Sequence, residues 1–145
     1  MKGKTQMQQE DYIKRQIDQL GRALGKILAD LLGSGSGGHS FDGMEAADHA
    51  LKGELGMDLK DLTVIPMEIF IQTLQENTKF SLDNLDKLAE IFFLLAEEYD
   101  VRGKDPEEKR NFYERSLAIY NHLDNTSLTY SFDRHKRMEE IKRAL

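Results

Sequence analysis

Apolar residues recur at Ile13, Ile17, Leu20, Leu24, Ile27 and Leu31, a spacing that alternates four and three and holds them on one stripe of an α-helix running from about Asp11. Gln, Lys, Arg and Asp fill the other faces, and the stripe stops at Gly33, where GSGSGG begins. A second, weaker helix is expected from Phe41 to Leu55, bearing Met44, Ala47, Ala50, Leu51 and Leu55, with Gly56 as its stop. Asp58 opens a short helical turn through Leu62, and Pro66 suits the first turn of a helix carrying Met67, Phe70, Ile71 and Leu74.

The strongest pattern starts at Ser81, a natural N-cap, and carries Leu85, Leu88, Phe92, Leu95, Ala96 and Tyr99 before Gly103. Ile91, Phe93 and Leu94 spread apolar surface onto further faces, so this helix is expected to be central and covered on more than one side. Asp105-Pro106-Glu107-Glu108 reads as a cap, a proline at the first helical position and a glutamate three residues after the cap. The helix that follows should bury Phe112, Tyr113, Ser116, Leu117, Tyr120 and Leu123. After the polar DNTS stretch, a last helix is assigned Leu128, Phe132, Met138, Ile141 and Leu145 as helically spaced core contacts. The expectation is an all-α chain of about six helices, forming a single domain over 1–145 with residues 1–9 flexible and a Gly/Ser-rich loop at 33–40.

The first helix contains Ile17, Leu20-Gly21 and Leu24, and the central helix contains Phe92, Leu95-Ala96 and Tyr99, the same alternation of bulky and small at the same spacing. Each is followed by a helix with a small-plus-leucine pair, Ala50-Leu51 and Ser116-Leu117. Small residues let an antiparallel partner approach closely while bulky neighbours lock the pair. On these residues the chain resembles a tetratricopeptide-type helical hairpin, most clearly over 85–124. With the opening QQEDYIKRQIDQLGRALGKIL, it is similar to a family of uncharacterised bacterial proteins with tetratricopeptide-like folds. That resemblance implies antiparallel hairpins in a right-handed superhelical stack and brings no assigned activity.

Composition narrows the function classes. There is no cysteine, which excludes disulfides, thiol catalysis and cysteine-rich zinc sites. The longest apolar run, Ile91 to Ala96, is far short of the ~20 residues of a membrane span. No secretory signal pattern opens the chain, and a cytoplasmic location is expected. The net charge of −6 speaks against wholesale nucleic-acid binding. Locally, Arg134, His135, Lys136, Arg137, Lys142 and Arg143 form a basic stretch that keeps a weak nucleic-acid role as an alternative.

Chemical motifs are few. Gly33, Gly35 and Gly38 spell a G-x-G-x-x-G pattern, but a long helix precedes them where a phosphate cradle needs a strand, so they read as a loop. Glu45 and His49 lie one helical turn apart and make at most half of a metal site. Ser40, Ser81, Ser116 and Ser131 sit in no nucleophile motif. The expectation is a non-enzymatic interaction module without cofactor or metal, binding a protein or peptide partner on a helical surface. Arg15, Arg22 and Lys26 would supply a basic stripe on the first helix, and Phe93 and Glu97 an apolar anchor and a charge on the central one. The alternative is a homodimer or larger assembly through the N-terminal amphipathic helix.

Overall fold

The structure is a computed structural model that describes the backbone of residues 2–33 and 43–145 and the side chains of 8–33 and 45–145. The glycine pattern beyond Gly33 and the second helix's expected start at Phe41 lie outside the described residues. Within them all regular secondary structure is helical. The elements are α1 (Lys2–Gly33), α2 (Gly43–Leu55), α3 (Leu59–Thr63), α4 (Met67–Gln75), α5 (Leu82–Arg102), α6 (Pro106–Thr126) and α7 (Phe132–Ala144). The turn expected after Asp58 thus forms a helix of its own, making seven where about six were expected.

Local chemistry sets most boundaries. Asp58 accepts from the Asp61 amide while the Asp61 side chain accepts from the Asp58 amide, a reciprocal capping box. Ser81 accepts from the Asn84 amide at 3.2 Å, and Asp105 accepts from those of Glu107 and Glu108, with Pro106 first in the helix. Gly103 ends α5 in the left-handed conformation, φ 62°, which a glycine reaches without Cβ strain.

The core is built around α5. Leu85, Leu88, Ile91, Phe92, Phe93, Leu95 and Ala96 are all buried, so this helix is covered on more than one side, as its apolar breadth predicts. Against it α6 runs antiparallel. Ala89 meets Ser116, Glu90 meets Tyr120, Phe92 stacks on Phe112, Phe93 meets Tyr113 edge-on and Asp100 pairs with Lys109, the index falling on one helix as it rises on the other. Buried Ile119 joins this layer in place of Leu117, which is half-buried. Phe70 of α4 closes the aromatic cluster edge-on to Phe92.

α1 runs parallel to α5, with Ile17 and Gly21 level with Asn84, and Leu28 facing the cavity floored by Asp86 and Glu90. Leu20, Leu24 and Ile27 of the α1 stripe are buried, and the part of α1 ahead of Ile17 overhangs the start of α5 at Leu82. Ile13 and Tyr12 are therefore exposed, Tyr12 at 60%.

α7 corrects the expected C-terminal core. Capped by Ser131, it starts at Phe132, so Leu128 lies outside any helix and is fully exposed, Phe132 is 72% exposed and Leu145 is exposed too. Only Met138 and Ile141 are buried from this helix. The reason is that α7 docks through one face alone, and among the described residues no other element covers the opposite face.

Candidate functional site

α7 runs parallel to α5 on the side opposite α1, with Arg134 beside Asp86 and Arg137 on Glu90. Three parallel helices therefore border one face, α5 as floor and α1 and α7 as walls. Between them lies a cavity of about 480 Å3 lined by Leu28 of α1, by Asp86, Lys87 and Glu90 of α5, by Tyr120 of α6, and by Arg134, Lys136 and Arg137 of α7. A second hollow of about 350 Å3 continues between α1 and α5, where Asp18 and Arg22 face Asp83, and Lys87 belongs to both.

The floor is held by a polar knot. Glu90 Oε2 accepts from the Tyr120 hydroxyl at 2.7 Å and from Arg137 Nε at 3.0 Å, and Oε1 accepts from Arg137 Nη2. Arg137 Nη1 donates to Glu140 at 2.9 Å, and its guanidinium lies 3.9 Å from the Phe93 ring centroid. Burial works to lower the Arg137 pKa, but hydrogen bonds and charge from Glu90 and Glu140 outweigh it and raise the value. Burial, followed by the Glu90 charge, raises that of Tyr120. Partial desolvation is also the first cause that raises the carboxyl pKa values of Asp86 and Glu97.

Of the residues expected to bind a partner, Arg22 lines the groove. Arg15 and Lys26 are exposed on α1 but border neither hollow. Phe93 corrects the expected anchor: it is 2% exposed, packed on Tyr113 and roofed by Arg137, so no partner reaches it while α7 is docked. Glu97 is exposed and feels the charges of Arg137 and Glu140. Half of the basic C-terminal stretch is engaged within the chain, with Arg137 held by Glu90, His135 bonded to Asp124 at 2.8 Å and Lys142 near Glu139.

Sequence reading did not assign Asp86, Lys87 or Glu90 to a site. Their signal was present: polar residues at 83, 86, 87, 90 and 97 recur at helical spacing on a helix otherwise apolar on several faces. Among the described residues no group of three or more His, Asp or Glu side chains is placed to hold a metal ion, and no helix is long and apolar enough to cross a membrane. No family model, no curated protein and no solved structure matches the chain.

Proposed function

We propose that this chain is a tetratricopeptide-like interaction module that binds a protein segment in the groove bordered by α1, α5 and α7, acting by contact and not by chemistry. The observation that carries the reading is the parallel alignment of those three helices, with α2 packed on α1, and α6 antiparallel to α5. Hairpins whose first helices share one face would align in this way, and such faces serve extended segments. A photo-crosslinking amino acid placed at Arg22 or Lys136, in the groove, should capture a partner in cells, whereas one at Arg110, exposed near the start of α6, should not. Equal capture from all three positions, or none from the groove, would end the proposal.

A second reading rests on the overhang of α1. Its exposed Tyr12 and Ile13 would be covered if two copies paired along this helix. Light scattering that returned a monomer at high concentration would remove it.

A further inference from the structure

Arg134, in the first turn of α7, lines the larger cavity, yet its Nε and Nη1 are buried with no hydrogen-bond partner. Guanidinium nitrogens removed from water without acceptors are under-compensated, and turning the side chain out to an anion in the cavity relieves that cost. Asp86 lowers this burden only through space, since the two close no ion pair. Glu90, the other carboxylate of the floor, is already held by Arg137 and Tyr120. Lys87 and Lys136 line the same cavity, and neither closes an ion pair among the described residues.

Resting on the groove reading, we propose that the bound segment is an acidic peptide, one of whose side-chain carboxylates seats against Arg134 between Lys87 and Lys136. The cavity, about 480 Å3, falls in the ~300–1,000 Å3 range of ligand clefts and exceeds what one inorganic anion fills. Its wall also presents the acceptors Asp86 and Asp133. A peptide answers both features, because its carboxylate accepts from Arg134 while its backbone N–H groups donate to the aspartates. Inorganic phosphate brings acceptors and few donors.

The test titrates the whole 15N-labelled chain with hexaglutamate, hexalysine or inorganic phosphate at low salt, following the Arg134 Nε–H resonance. Fluorescein-labelled hexaglutamate gives the affinity by anisotropy. Hexaglutamate should shift Arg134 Nε–H, and hexalysine and phosphate at equal concentration should not. Arg134→Gln should weaken hexaglutamate at least tenfold and Lys136→Gln, an exposed position indifferent to folding, about threefold for one lost charge contact. Arg143→Gln, outside the cavity, should change it less than twofold. Unchanged affinity in both groove variants, or the same shift from phosphate alone, overturns the proposal. A groove-specific crosslink that hexaglutamate does not compete overturns the acidic assignment while leaving the groove reading intact, whereas the absence of any groove-specific crosslink removes both.

Discussion

Asn84 of α5 donates its side-chain amide at 2.9 Å to the carbonyl of Ile17 on α1, sixty-seven residues earlier in the chain. The same amide donates to the Lys79 carbonyl at 2.8 Å, so Asn84 ties the turn before α5 to the neighbouring helix. Its Oδ1 would stand 3.0 Å from a Cβ added at Gly21, and with the amide bonded twice it has little room to give. Gly21→Ala should therefore lower stability by about 1 kcal/mol despite the better helix propensity. Gly25→Ala, with nothing within 4 Å of the added Cβ, should raise it by up to about 1 kcal/mol. Urea denaturation of the two variants checks the opposite signs.

Arg115 is buried without a carboxylate partner. It donates to the Thr63 carbonyl at 2.8 Å, to the Ile65 carbonyl and to Asn111 Oδ1 at 3.0 Å, and it lies over the Phe70 ring. These bonds clasp the α3–α4 connection to α6. Arg115→Ala should cost about 3 kcal/mol, and Arg115→Lys should recover less than half, since one ammonium cannot reproduce the planar fork. Faster hydrogen exchange confined first to α3 and α4 would identify the clasp.

Ser116 is fully buried where α6 crosses α5, its hydroxyl donating to the Ala89 carbonyl at 2.7 Å. Removing the hydroxyl in Ser116→Ala should cost about 1 kcal/mol. Ser116→Leu should cost 3 kcal/mol or more, on the order of the upper range for overpacking, because the two backbones cannot separate without opening the aromatic cluster. Thermal unfolding of both variants ranks the two effects.

Arg137 joins α7 to α5 by charge and by its seat on Phe93. Arg137→Ala should cost about 2 kcal/mol, because it leaves the half-buried Glu90 carboxylate without its cation and uncovers the ring. In a double-mutant cycle with Glu90→Gln, the coupling should reach about 1 kcal/mol and shrink in high salt. Full additivity would mean that the pair contributes nothing to docking.

Asp86, Glu97 and Glu108 all have carboxyl pKa values raised in the folded state, with partial desolvation as the first cause. The folded chain then binds these protons more tightly than the unfolded chain does. Their contribution to stability is complete below the ordinary values of 3.8 and 4.5 and is lost as pH rises through the raised ones. Asp86→Asn and Glu97→Gln should each stabilise the fold at pH 7 and change nothing at pH 3. Equal gains at both pH values in urea titrations would contradict this origin.

Periodicity, caps and breakers are local properties, and they were enough to determine the all-helical class, the start of α5 at Ser81 and of α6 at Asp105-Pro106, the stop at Gly103 and the central place of α5. Burial along a stripe was only partly legible. Ile13 and Leu128 repeat the pattern of core residues, but whether an apolar face is covered depends on where a neighbouring helix begins and ends. The proposed repeat shows the same limit: Leu51 is the buried member of its pair, whereas Ser116 is fully buried beside a half-buried Leu117. Phe93 read as an anchor for a partner because a helix without its tertiary neighbours cannot reveal that Arg137, from an element far along the chain, covers the ring. The groove itself has no local signature, since Arg22, Lys87 and Arg134 come from three separate helices. Hydrophobic spacing and backbone capping act within a few residues and determined the elements. The parallel alignment of α1, α5 and α7 comes from long-range packing and hydrogen bonds, and only the tertiary structure decided which charges face one another.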